Sequence, residues 1–130
     1  MLEAATSELH SRLRDAAERA TERSRRTLVS ATLSVDPVDP CAAVFASRLA
    51  SDAWFCWEQP DREFALAALG VAHATASRGP RRFEDVAQEC LRLNEGAIVE
   101  EPLGLPSGAG VVWTGGFAFD PEGASSPPWS

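Results

Sequence analysis

The chain has 130 residues and a mass of 13.9 kDa, with 45% hydrophobic and 24% charged residues, which is typical of one globular domain and excludes fibrous and disordered proteins. Its 19 acidic and 12 basic residues give a net charge of −7, which argues against a nucleic-acid partner. The acidic start of the chain and the absence of a long apolar run predict no targeting segment, no membrane contact and a cytoplasmic location.

The first part of the chain predicts a helix, a strand and a second helix. Residues 2–26 contain no glycine or proline and place leucine and alanine at helical intervals, so we predict a helix with a narrow buried face. Period-two alternation over residues 27–35 predicts a half-buried strand. Asp39 followed by Pro40 is typical of a helix start, and the apolar spacing extends this helix to about Ala50.

The middle of the chain predicts an antiparallel hairpin. Residues 53–58 are aromatic on both faces, which is typical of a strand covered on both sides. Residues 59–62 have the composition of a turn, so we predict that residues 63–71 return as a second strand. The alanine content of this returning segment leaves a helix as the alternative.

The last part of the chain predicts one more helix and one more strand. Residues 83–94 carry the clearest amphipathic helical pattern, and residues 100–110 form a loop rich in proline and glycine. Residues 111–119 are predicted to form a final strand that Gly115-Gly116 interrupts. The element order predicts an α+β fold, with a mostly antiparallel sheet of four strands and flanking helices.

The cysteines and histidines do not form a recognisable site in the sequence. Cys41, Cys56 and Cys90 lie in apolar stretches without a metal-binding spacing. We therefore expect small buried residues in a reducing compartment, not a disulfide framework or a metal site. His10 and His73 have no partner at ligand spacing, so we expect one surface histidine and one packed histidine.

Two other groups are weak candidates for chemistry. Glu58, Asp61 and Glu63 surround the predicted turn, where exposed carboxylates usually favour solubility because catalytic carboxylates need burial or coupling. Gly115-Gly116 lacks a phosphate-loop pattern and predicts a bulge or a close backbone approach. We therefore assign no catalytic, cofactor-binding or metal-ligating residue to this chain.

Two segments resemble the amino-terminal motifs of isochorismate synthases, within the chorismate-utilising enzymes that include anthranilate and salicylate synthases. The segments are residues 54–70, WFCWEQPDREFALAALG, and residues 115–121, GGFAFDP. The resemblance covers roughly residues 27–129. Related anthranilate synthases carry a tryptophan feedback segment where this chain has residues 55–59, and we expect the bulky residues here to fill that pocket, which favours the isochorismate form.

The resemblance implies a layered α/β domain that converts chorismate to isochorismate with bound Mg²⁺. It also implies a lysine as general base, a glutamate as general acid and glutamates as metal ligands, all in the carboxy-terminal part of the family's domain. All 12 basic residues of this chain are arginine, so it cannot supply the lysine.

We therefore predict that residues 1–26 form an amino-terminal helix and that residues 27–130 form the amino-terminal part of a chorismate-binding domain. The parent enzyme would supply menaquinone, siderophore or salicylate synthesis, with chorismate and the missing carboxy-terminal part as partners, and this chain alone would be inactive. Two alternatives remain: a stand-alone, non-catalytic interaction or ligand-binding module, and part of a salicylate or anthranilate synthase.

Overall fold

The computed structural model describes residues 2–106 and 108–121. Within them the predicted α+β class is confirmed, with three α-helices and four short strands. In chain order the elements are α1 (Leu2–Thr21), β1 (Val29–Ala31), α2 (Pro40–Ser47), β2 (Trp54–Gln59), β3 (Phe64–Leu69), α3 (Arg82–Glu95) and β4 (Ile98–Glu100). A 3₁₀ turn at Pro60–Arg62 joins β2 to β3.

The first sheet is a parallel pair of β1 and β4. Val29 aligns with Ile98, and the ladder continues beyond the strand where the Thr32 amide donates to the Glu100 carbonyl at 2.8 Å. Helix α1 packs against both strands and buries Ala16 completely. An ion pair between Arg19 and Glu100 joins the same helix to β4.

The second sheet is the predicted hairpin of β2 and β3, which pair antiparallel from Trp54 with Leu69 to Gln59 with Phe64. The strand prediction for the returning segment is therefore confirmed against its helical alternative. Helix α2 packs on this hairpin. It begins as predicted, because Asp39 caps the helix by accepting a hydrogen bond from the Ala42 amide at 2.9 Å, with Pro40 at the first helical position.

Several sequence predictions were wrong in their pairing or extent. The four strands form two separate two-stranded sheets, and one of the pairs is parallel. Residues 111–119 form no strand, because no described segment pairs with them in a backbone ladder. β4 was not predicted, because its three residues are too few to show a period. Helix α1 ends at Thr21 rather than residue 26.

Tertiary contacts explain the early end of α1. The chain leaves the helix and turns toward β4, so that Arg23 donates from its guanidinium to the Gly96 carbonyl at 2.6 Å. Arg25 lies on the same glycine, with its Nη2 atom 3.2 Å from where a Gly96 side chain would begin. These contacts join the end of α1 to the end of α3, and a continuous helix through residue 26 would be incompatible with them.

The described part of the chain buries little apolar surface. Its buried hydrophobic residues are Ala16, Cys41, Leu93 and Ile98. Large side chains stay exposed on the hairpin, where Trp54 is 47% and Trp57 50% accessible. The prediction of a strand covered on both faces is therefore wrong for the described residues, where α2 covers one face and leaves much of the other open.

None of the helices within residues 2–106 and 108–121 combines the length and the apolar character that a bilayer crossing requires.

Ala16 and Ala17 offer a test of the contact between α1 and the parallel pair. Replacing Ala16 by leucine should lower the free energy of unfolding by about 1–3 kcal/mol, because the buried site has no room for three more carbons. The matched change Ala17→Leu, on the exposed face, should alter it by less than about 0.5 kcal/mol. Urea unfolding measures both, and equal effects would contradict the described packing.

Candidate functional site

A cavity of about 970 Å³ lies beside α3. Its walls come from α3, β1, the loop of residues 70–78 and the segment of residues 110–118, so the Gly-Gly motif lines it. A second cavity of about 550 Å³ lies between α1 and the hairpin, lined among others by Leu9, Leu66 and Val112. Both cavities are partly apolar openings of a sparsely packed fold.

Arg82 is the buried charged residue at the wall of the larger cavity, with 8% of its surface accessible. Its guanidinium donates to the carbonyls of Ala118 at 3.3 Å and Phe119 at 3.2 Å, and its Nε atom is buried without a hydrogen-bond partner in the described part of the chain. Beside it, the Gly79 amide donates to the Pro121 carbonyl at 2.6 Å. These bonds hold residues 115–121 against the first turn of α3.

His73 lies at the same cavity and is packed, as predicted. Its ring meets Trp113 edge to face with centroids 5.8 Å apart, and its Nε2 atom is 3.8 Å from a Glu89 carboxylate oxygen. A hydrogen bond from Arg92 lowers the pKa of Glu89 below its ordinary value, against the opposing effect of burial. The Trp113 indole N–H donates to the Asn94 side chain at 2.9 Å. This polar group joins the loop of residues 70–78 to α3.

Four side chains meet between α2 and the hairpin, and we call them the thiol cluster: Asp39, Cys41, Cys56 and Glu58. One ligating atom from each of Asp39, Cys41 and Glu58 lies within 4.8 Å of the other two. The Glu58 carboxylate and the Cys56 thiol are the neighbouring groups that act on the Cys41 thiol. Burial, followed by hydrogen bonding with these two groups, raises the pKa of Cys41 to about 12.

Mg²⁺, the metal that the family resemblance implies, does not fit this cluster. Magnesium demands an octahedral set of oxygen ligands, and a buried thiol stands at the centre of the group. Within residues 2–106 and 108–121, no other group of three ligating side chains comes close enough to hold an ion. The described residues therefore give no magnesium site.

The other residues considered from the sequence do not come together. His10 is exposed on α1, as expected. Asp61 and Glu63 are exposed at the turn, whereas Glu58 lies apart from them in the thiol cluster. A side chain at Gly115 would meet nothing within 4 Å, so the expected close backbone approach is absent there. The three cysteines are free, but among them only Cys41 is buried, while Cys56 and Cys90 are half-buried.

The aromatic residues of β2 contact other aromatic side chains and not the two cavities. The lining of neither described cavity includes residues 54–59. Trp57 instead contacts Phe64 across the hairpin, with ring centroids 6.2 Å apart, and Trp54 contacts Phe45 at 4.8 Å. The expectation that these side chains occupy the place of a feedback ligand stays a prediction.

Sequence reasoning missed the two groups that the structure brings together. In the sequence Arg82 is one of two adjacent arginines with no sign of a special role. The Ala118 and Phe119 carbonyls that it contacts lie more than thirty residues further along the chain. The thiol cluster had a visible signal, because Asp39 and Cys41 are two residues apart and so are Cys56 and Glu58. That signal has meaning only once α2 is known to pack on β2.

Residues 14–130 match the family model described as chorismate binding enzyme. The match covers most of the chain, so the chain belongs to the family of chorismate-binding enzymes, as the resemblance predicted. Over 105 residues it is 33% identical to the salicylate biosynthesis isochorismate synthase of Pseudomonas aeruginosa. This alignment covers 81% of this chain and 20% of that protein. The chain thus spans about a fifth of the length of this relative. No solved structure matches it.

Arg82 should hold residues 115–121, the Gly-Gly-Phe segment, in place. Replacing Arg82 by methionine removes the donors to the Ala118 and Phe119 carbonyls. We therefore expect the free energy of unfolding to fall by about 2 kcal/mol and the amides of residues 115–121 to exchange faster. Arg81→Met is the control, because Arg81 is exposed and its ion pair with Glu84 contributes less than about 1 kcal/mol. Unchanged exchange in the Arg82 variant would contradict the role assigned to this residue.

Cys41 should make the fold sensitive to alkali. The folded state holds the thiol proton more tightly than the unfolded chain, so the stability that Cys41 contributes is complete below its ordinary pKa of 9.0 and is lost as the pH rises toward about 12. The chain has no lysine and no tyrosine to obscure this window. Urea unfolding of Cys41→Ser should show a smaller decline across that range, whereas Cys90→Ser should keep the decline of the parent sequence.

Proposed function

We propose that this chain is the amino-terminal part of an isochorismate synthase, which converts chorismate to isochorismate. The observation that carries the proposal is the 33% identity to an isochorismate synthase over 81% of the chain, within a family match over residues 14–130. The residues considered from the sequence as catalytic candidates do not converge in the described structure, which agrees with a scaffold role for this part of the protein.

The chemistry of the reaction also favours a larger protein. The family resemblance implies a lysine that activates water for attack on the ring and a glutamate that protonates the departing hydroxyl. All the basic residues of this chain are arginine, whose guanidinium keeps its proton in proteins and is therefore unsuited to act as a base. In this proposal the base, the acid and the magnesium ligands come from the remainder of the enzyme.

Exposed apolar surface supports the same interpretation. Phe83 and Phe117 contact each other at 4.5 Å, yet they are 52% and 42% accessible, and Phe119 is fully exposed beside them. An isolated domain rarely leaves such a group of aromatic side chains in water. We propose that the carboxy-terminal remainder covers this group and supplies the strand partner that residues 111–119 lack in the described part.

The proposal extends to the pathway and the compartment. Salicylate supply is preferred to menaquinone or siderophore supply, because the relative is named for salicylate biosynthesis. The free state of the three cysteines is in keeping with a reducing cytoplasm.

The test compares the full product of the natural gene with the 130-residue chain. We expect an intact mass well above 13.9 kDa, Mg²⁺-dependent formation of isochorismate by the full product, and no turnover by the 130-residue chain. Chromatography of the products from chorismate, with and without ammonia, distinguishes isochorismate from salicylate and anthranilate.

Complementation provides the control for folding. Adding the separately expressed remainder to the 130-residue chain should restore part of the activity, because the remainder then packs against the exposed aromatic side chains. Turnover by the 130-residue chain alone would refute the scaffold role. If anthranilate or salicylate were the sole product, the parent enzyme would be the corresponding sister synthase and not an isochorismate synthase.

A further inference from the structure

The thiol cluster is assembled from two short pairs of residues that face each other. Asp39 caps α2 and Cys41 lies in its first turn, while Cys56 and Glu58 are two residues apart on β2. Residues two apart on a strand point to the same face, and the Cys41 contacts show that this face is turned toward α2. Each element thus contributes one sulfur atom and one carboxylate.

The carboxylates of the thiol cluster are exposed to solvent, whereas the Cys41 thiol is buried. Cys41 is 6% accessible, whereas Asp39 and Glu58 are exposed and Cys56 is half-buried. An ion can therefore reach the buried thiol past the two carboxylates. Asp39 uses its Oδ1 atom to cap the Ala42 amide, and the second carboxylate oxygen can serve as a ligand at the same time.

The spacing of the ligating atoms suits a small tetrahedral ion. Zinc bonds of about 2.0–2.3 Å place tetrahedral ligand atoms roughly 3.3–3.8 Å apart. Asp39, Cys41 and Glu58 each place one ligating atom within 4.8 Å of the other two, so shifts of those atoms by about an ångström would bring them to this spacing. The Cys56 thiol lies outside this group of three beside Cys41, and in the proposal its side chain turns to supply the fourth ligand. Two sulfur and two oxygen ligands select a thiophilic ion such as Zn²⁺ over Mg²⁺ or Ca²⁺.

We propose that the thiol cluster binds one divalent cation of the zinc class. Binding displaces the protons of the Cys41 and Cys56 thiols, which pass to solvent, and the resulting thiolates and the two carboxylates hold the ion, which joins the start of α2 to β2. The site is separate from the isomerisation proposed above, and it revises the expectation that the chain contains no metal-ligating residue.

The test titrates the protein in its natural length, with its thiols kept reduced, using Cd²⁺ and Zn²⁺ in turn. Cadmium–thiolate charge-transfer absorption reports sulfur ligation, and calorimetry gives the stoichiometry and affinity for zinc. We expect one site whose zinc affinity falls at least about tenfold in Cys41→Ser and in Cys56→Ser, each with a weaker cadmium–thiolate absorption because one of the two sulfur ligands is gone. Excess Mg²⁺ should not displace the ion.

Matched variants separate ligation from folding. Cys90→Ser removes a cysteine outside the cluster and should leave binding unchanged. Glu58→Gln changes an exposed side chain with little risk to the fold and should weaken zinc binding, whereas Glu63→Gln, at the nearby turn, should not.

The absence of thiolate absorption in the parent protein would overturn the proposal. Full affinity in folded Cys41→Ser, or an equal loss in Cys90→Ser, would overturn it as well. Because these readouts do not involve chorismate turnover, failure of the metal site and failure of the proposed function are distinguishable.

Discussion

The pairing of β1 with β4 is the constraint that brings the two ends of the described fold together. Parallel strands require a long crossover, and here that crossover contains α2, the hairpin and α3. The ladder is only three residues long, so α1 supports it by packing along both strands and through the ion pair of Arg19 with Glu100. The contacts of Arg23 and Arg25 with Gly96 then join the ends of α1 and α3.

The three-residue ladder joins two distant segments of the chain, but it does not enclose a core between the two sheets. The parallel pair and the hairpin remain separate sheets, and the cavity beside α3 lies among β1, α3 and the Gly-Gly motif. Hydrophobic burial normally supplies most of the free energy that offsets chain entropy, and the described residues bury few apolar side chains completely. The same deficit is in keeping with the scaffold role proposed above, in which the exposed aromatic side chains bind the rest of a larger protein.

The chain also separates two kinds of chemistry. The proposed isomerisation needs a base and a hard metal, but the chain has no lysine, and its described residues give no set of oxygen ligands that fits magnesium. It instead places sulfur and carboxylate ligands together at the junction of α2 and the hairpin. Arg82, by contrast, acts within the scaffold, because its hydrogen bonds go to backbone carbonyls of the Gly-Gly-Phe segment.

Local chemistry in the sequence was enough to predict the elements whose signals lie within a few residues. The cap at Asp39, the turn between β2 and β3 and the amphipathic pattern of α3 all have short-range causes, and each was confirmed. The motifs at residues 54–70 and 115–121 likewise indicated the family correctly.

Tertiary structure decided which strands pair, where α1 ends and which side chains meet. β4 exists because β1 offers it a ladder, and residues 111–119 form no strand because nothing described offers them one. The partners of Arg82 and the meeting of Cys41 with Cys56 depend on packing between distant segments. Strand pairing and ligand convergence are properties of two segments together, so the pattern within either segment cannot specify them.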